Sequence, residues 1–190
     1  MSNILERLQD MCTLPGRLVG WLVVPLIVSV CLTVLAAQYG INLLAEWSDP
    51  LPLFGKAITV NTLLDLQWHI FSLMVLFGGV LAFRDNSHVS VDVFSSSLSP
   101  RTQLAFRLFG DLVFLLPFCI VIAWYGYSFA VKAFATGEGS TYGGMLDRWV
   151  IKAMIPLSFS LLGLCAILRA IETARQLMRP TLKNSEQPHD

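Results

Sequence analysis

LLDLQWHIFSLMVLFGGVLAF, residues 63–83, runs directly into RDNSHVSVDVF, residues 84–94, and the reading of this junction decides the fold. The first stretch stays apolar over the roughly 20 residues that a helix needs to cross ~30 Å of hydrocarbon at about 1.5 Å per residue. The second opens with a cation, Arg84, and then alternates His88, Ser90 and Asp92 with Val89, Val91 and Val93. A period of two fits an extended segment on the membrane interface, valines down and polar residues up. It equally fits a loop packed beneath the protein's own helices.

Three further apolar runs repeat the pattern: Leu18–Ala37, Phe106–Val131 and Trp149–Ile171. Backbone groups in lipid must be satisfied within their own segment, so all four runs are expected as helices. Composition agrees. Of 190 residues, 55% are hydrophobic and 14% charged, and mean hydropathy is +0.64. Soluble domains carry about 25% charged residues. The expected fold is an all-α integral membrane protein with four transmembrane helices. No stretch between the runs is long enough for a separate soluble domain, so one compact bundle is expected. The chain divides into a cytoplasmic amphipathic segment at 1–17, a four-helix membrane domain at 18–175 and a polar cytoplasmic tail at 176–190. Within residues 3–12, Ile4, Leu5, Leu8, Met11 and Cys12 fall at helical spacing, which predicts a short interfacial helix. Val34-Leu35-Ala36 loosely resembles a cleavage site, but the apolar run is too long for a signal peptide and three more spans follow it.

The distribution of Lys and Arg sets the orientation. Both tails and the Arg84 loop hold nine of them, against four in the Ile41–Thr62 and Lys132–Arg148 loops with the helix ends beside them. Both termini and the Arg84 loop are therefore expected in the cytoplasm. The zero formal net charge gives no argument for a nucleic-acid partner. The four cysteines show no zinc or redox spacing.

The loops carry their own signals. Pro50 and Pro52 forbid a regular helix in Ile41–Thr62, whose Trp47, Leu51, Leu53 and Phe54 suit either the membrane interface or a covering partner. Thr62 with Asp65 resembles a capping box for the second span. Ser99-Pro100 places an N-cap and a first helical residue before a third helix of about 32 residues, with Pro117 as a candidate kink. Four glycines within residues 137–144, GEGSTYGG, mark irregular backbone.

Ionisable residues within spans are functional candidates by default. Asp65 and His69, four apart near the outer end of the second span, fit a cap and a helix–helix contact, or a proton or ion relay. Arg107 and Asp111, four apart in the third span, are candidates for mutual pairing. Lys152 is placed to snorkel or to couple ions. The histidines lie on different segments, so two-histidine haem ligation is not supported, and no nucleophile elbow or metal-ligand spacing occurs. The chain therefore reads as a scaffold or accessory subunit, not an enzyme. No cofactor is expected in it.

The order of these motifs is similar to that of the small membrane subunit of TRAP transporters, the DctQ family. The resemblance rests on RDNSHVSVDVF and the following SSSLSPR, on Asp65-Leu66-Gln67-Trp68, and on Gly137, Glu138, Gly139, Ser140, Gly143, Gly144, Arg148, Trp149, Ile151, Lys152 and Pro156. It covers roughly Leu18 to Arg175. It implies a tripartite importer of the bacterial inner membrane, in which a periplasmic binding protein delivers a solute, commonly an organic acid. A large DctM-like permease then holds the substrate and sodium sites. The small subunit docks on that permease within the bilayer. The candidate contacts with partner or membrane interface are Trp68, Arg84, His88, Asp92, Glu138, Arg148, Trp149 and Lys152. The Ile41–Thr62 loop is longer than the simplest members carry. Two other readings are a membrane anchor for a redox enzyme and a small autonomous transporter.

Overall fold

The computed structural model describes residues 2–85, 99–141 and 143–178. His88, Asp92 and the tail beyond Met178 lie outside the described residues, so the alternating segment and the 176–190 division are not placed by it.

Among the described residues, four helical stretches are long and apolar enough to cross a membrane: Arg7–Gln38, Val60–Arg84, Pro100–Ala135 and Trp149–Met178. The chain is thus a multi-pass, mainly helical membrane protein. The first stretch comprises α1 (Ser2–Val19), one 3-10 turn at Gly20–Leu22, and α2 (Val23–Gln38). The second is α3 (Val60–Arg84), and the last is α6 (Trp149–Met178). The third comprises α4 (Pro100–Phe109), a π-helical turn at Gly110–Leu115, and α5 (Leu116–Ala135).

Among the described residues these spans pack as a row. α2 packs on α3, α3 on α6, and α6 on α5, with no extensive contact closing α5 back onto α2. Burial follows that order. In the most apolar 18-residue window of each span, 22% of residues are buried for the two inner spans, against 6% for the first and 11% for the third. In lipid, apolar surface gains nothing by leaving one apolar neighbour for another, so no hydrophobic force closes the ring. Close backbone approach decides contacts instead. A Cβ on Gly126 of α5 would lie 3.2 Å from the Pro156 ring and from Ile155 on α6.

The N-terminal helix is longer than residues 3–12 and packs against α3 and α6. Cys12 and Thr13 are buried there, and a Cβ on Gly16 would come within 2.6 Å of the Phe77 carbonyl oxygen of α3. The small side chains on this face let two backbones meet. Cys12 joins Val80, Phe83, Cys165 and Ala166 in the core where α1, α3 and α6 converge.

The connection between the first two spans is an antiparallel hairpin, β1 (Leu43–Leu51) with β2 (Gly55–Thr59), which the sequence did not suggest. Both strands are edges, so Pro50 removes no ladder bond that a neighbour needs. The register shifts between Glu46 and Leu51, around that proline. Trp47 Nε1 donates to the Gly55 carbonyl at 2.7 Å and fastens the strands.

The cap of α3 corrects the Thr62–Asp65 expectation. Thr59 is the N-cap, its side chain accepts from the Thr62 N–H, and the Thr62 hydroxyl accepts from the Thr59 N–H. The helix therefore starts one turn before Asp65, which is left for another task. Ser99 caps α4 with Pro100 in its first turn, as the Ser-Pro signal implies. Pro117 acts through the π-helical turn that ends just before α5. It has no N–H for the Val113 carbonyl and its ring crowds that turn, so the ladder widens to i→i+5 spacing upstream.

Candidate functional site

Polar side chains gather in three places along the row: the hairpin end, the middle of the α2–α3 contact, and the end that carries Arg84.

At the hairpin end, Asp65 is buried, and its Oδ2 accepts the Met145 N–H at 3.0 Å, across 80 residues of chain. Gly144 permits this approach, since a Cβ there would overlap the Asp65 carboxylate and lie 2.9 Å from the Asn61 carbonyl oxygen. The next residue ties the loop to the hairpin, with Leu146 N–H donating to the Leu53 carbonyl at 2.7 Å. Leu53 holds a φ of 70°, a left-handed conformation costly for a leucine, at the hairpin tip. Hairpin, glycine-rich loop and head of α3 thus form one unit.

The same loop supplies Glu138, whose Oε2 accepts from Lys152 Nζ at 2.5 Å. The Lys152 ammonium also lies 3.9 Å from the centre of the Phe129 ring. Of the two expectations for Lys152, snorkelling or ion coupling, the geometry gives a third use: a clamp joining loop, α5 and α6. Arg148 donates its N–H to the Glu138 carbonyl and lines a hollow with Asp65 and Trp68. Trp149 meets Phe134 edge to face at 5.2 Å, while Trp68 is 68% exposed and turns outward. His69 Nδ1 donates to the Asp65 carbonyl at 2.6 Å, so Asp65 and His69 are joined through backbone and not through the carboxylate. His69 Nε2 is buried with no hydrogen-bond partner among the described residues.

In the middle, Gln67 Nε2 donates to Thr33 Oγ1 at 2.8 Å and approaches Ser29 Oγ at 3.4 Å. Ser29 in turn donates to the Leu63 carbonyl at 3.2 Å. Ser29 and Thr33 are small hydroxyl residues of an otherwise apolar run, and their i, i+4 spacing is the signal that marks this seam.

At the Arg84 end, Asp111 does not pair with Arg107. Its carboxylate takes two bonds from Arg169 of α6, Nε at 2.8 Å and Nη2 at 2.5 Å. The Arg169 guanidinium also stacks 3.6 Å from the centre of the Phe83 ring and donates to the Phe83 carbonyl at 3.3 Å. The π-helical turn carries Asp111 and alters the helical phase between it and Arg107, which explains why the i, i+4 expectation fails. Arg84 contacts Asp10 at 2.6 Å, and Arg17 reaches the same carboxylate at 3.3 Å. Beyond its weight in orientation, Arg84 fastens α1 to α3.

Most of these contacts join elements of the chain to each other, and none aligns a nucleophile with a base. A model of the DctQ component of tripartite ATP-independent periplasmic transporters matches residues 52–176. The chain belongs to the DctQ family. The match takes in the hairpin tip, α3, α4, α5, the glycine-rich loop and nearly all of α6, which hold the Asp65, Lys152 and Asp111 contacts. A Haemophilus influenzae protein described as a TRAP transporter small permease protein is 28% identical over 92 residues, 47% of this chain. The match spans 56% of that relative's length. DctQ membership makes the chain a transporter component and not an enzyme, which removes the redox-enzyme anchor.

Proposed function

We propose that this DctQ chain is the scaffold subunit of a sodium-coupled tripartite importer for an organic acid or related solute. The observation that carries the reading is the family match over residues 52–176, joined to a helix row whose outer spans are little covered. Val24, Ile27 and Val28 on α2 and Phe118, Val121 and Trp124 on α5 are exposed apolar side chains. A large multi-span permease covers part of this surface within the bilayer, and lipid covers the rest. That permease holds the sodium and substrate sites, while Asp65, Lys152 and Asp111 of this chain are used in contacts between helices and loops.

The chain lies in the bacterial inner membrane with both termini in the cytoplasm, as the nine-to-four bias of Lys and Arg supports. The unit formed by the hairpin and the glycine-rich loop then faces the periplasm, where the binding protein arrives. Purification from native membranes in mild detergent is expected to bring down one large multi-span protein in fixed ratio. Reconstituted uptake is expected only when that protein, the binding protein and sodium are all present. A chain that purifies without such a partner, or that transports alone, would overturn the reading.

A further inference from the structure

A hollow of about 440 Å³ opens beside the head of α3, lined by Asn61, Leu64, Asp65, Trp68 and Arg148. Next to it, a second hollow of about 380 Å³ lies between α3 and α6, walled mainly by Phe71, Val75, Leu76, Ile151 and Ile155. Trp68 to Phe71 and Arg148 to Ile151 are each a step of three residues, so the two hollows follow one another down a single groove. The mouth of this groove carries one charge of each sign. The Arg148 guanidinium makes no ion pair or side-chain hydrogen bond among the described residues. The Asp65 carboxylate gives Oδ2 to the Met145 N–H and keeps Oδ1 for another donor. Lys152, which borders the deeper hollow, is already matched by Glu138. Asp147 lies outside the lining and makes no ion pair with Arg148, and its charge adds only to the bias against an anionic headgroup.

The groove has the length of one leaflet. Leu64, Trp68, Phe71 and Val75 are the exposed large apolar residues of α3, and none follows Val75. They cover about 16 Å of helix, against ~30 Å for the whole hydrocarbon core. A spanning helix of a partner needs a groove that runs on across the bilayer, whereas an acyl chain ends within its leaflet. The mouth lies at the start of both helices, where headgroups sit, and the Trp68 ring, 68% exposed, is of the kind found at that level. A cation beside an acceptor matches a zwitterionic headgroup: phosphate on Arg148, ammonium on Asp65. A choline headgroup has no N–H for the carboxylate, and an anionic headgroup sets a second negative charge beside Asp65. We infer that this groove holds one phosphatidylethanolamine molecule, with an acyl chain along Phe71, Val75 and Ile155, whichever face of the membrane the hairpin occupies and whatever the row docks against.

The test uses the full-length protein, with its partner where one co-purifies, in nanodiscs holding equal parts of phosphatidylethanolamine, phosphatidylcholine and phosphatidylglycerol. Lipid retained after delipidation is read by native mass spectrometry. Phosphatidylethanolamine is expected to be retained over the other two, and Arg148→Gln is expected to weaken it about fivefold or more, the loss of one charge-assisted bond. Arg148→Lys should recover part of that loss. Asp65→Asn keeps an oxygen for the Met145 N–H but removes the charge that selects the ammonium. It is expected to lower retention of phosphatidylethanolamine and raise that of phosphatidylglycerol, an exchange that a misfolded variant would not produce. Val75→Trp fills the groove and is expected to reduce retention of phosphatidylethanolamine. Equal retention of the three lipids, an unchanged ranking in Asp65→Asn, or retention by the isolated chain that vanishes in the partner complex, where protein then fills the groove, would overturn the assignment.

Discussion

Asp111 and Arg169 form a two-bond ion pair between a π-helical turn and α6, 58 residues apart in sequence. The Asp111 side chain is 5% exposed and that of Arg169 19%. Removing one member leaves a charge without its partner in a low-dielectric setting, which costs about 3–5 kcal/mol. Asp111→Ala and Arg169→Ala should each lower the unfolding midpoint in detergent strongly. The double variant Asp111→Asn with Arg169→Gln should be more stable than either single alanine variant. A double variant that is as unstable as the sum of the singles would show that the two residues act separately.

The Lys152–Glu138 clamp should respond more mildly. Glu138 is 39% exposed and can turn to water when its partner is lost. Lys152→Met retains the packing on Phe129 and removes only the charge, so the expected cost is about 1 kcal/mol and falls with added salt. Thermal unfolding at low and high salt checks both the size and the trend. A loss as large as that of Asp111→Ala would contradict the exposure argument.

Gly144→Ala is expected to be worse than Asp65→Asn. The asparagine keeps an oxygen that can accept the Met145 N–H, so about 1 kcal/mol is at stake. The alanine methyl would occupy the space of the Asp65 carboxylate and push the loop away from α3. Limited proteolysis between residues 136 and 148 should accelerate clearly in Gly144→Ala and little in Asp65→Asn. The reverse order would mean that charge, and not space, holds the loop.

The seating of α1 can be read through Cys12, which is 6% exposed. In a Cys31→Ser background, a water-soluble maleimide should label Cys12 slowly. Asp10→Asn removes the Arg84 and Arg17 contacts of a half-exposed carboxylate, worth less than about 1 kcal/mol, so labelling should rise only slightly. Gly16→Ala forces α1 off the Phe77 carbonyl, and labelling should rise several-fold more than in Asp10→Asn. Equal rates in the two variants would place the main hold on the ion pair.

Membrane crossing was legible because length and hydropathy alone report it, and the Ser99-Pro100 start was legible because capping chemistry is local. The partner of Asp111 was not legible. Arg107 satisfied the helical spacing rule, whereas the real partner lies on another span and the intervening turn is not α-helical. The cap of α3 was misplaced for a related reason. Thr62 with Asp65 matches the familiar acidic pattern, yet Thr59 with Thr62 makes the same reciprocal bonds with two hydroxyls. The hairpin was hidden by Pro50 and Pro52, which exclude helix, but Pro50 is tolerated on an edge strand and Pro52 lies in the turn at the tip. The Arg84 loop helped to suggest the family from its motif, while its His88 and Asp92 lie outside the described residues. The row itself could not be foreseen, because hydropathy says that helices cross but not which neighbours they choose.

A row joins its helices in series. Displacement of α5 reaches α2 through α6 and then through α3 or through α1, which packs on both and continues into α2. The α3–α6 seam is therefore spanned by α1, whose Cys12 sits in the core between the two helices. Its two ends are bridged by Asp65 with Met145 and by Arg169 with the Phe83 carbonyl, so bending there must work against a fastening at each face of the membrane.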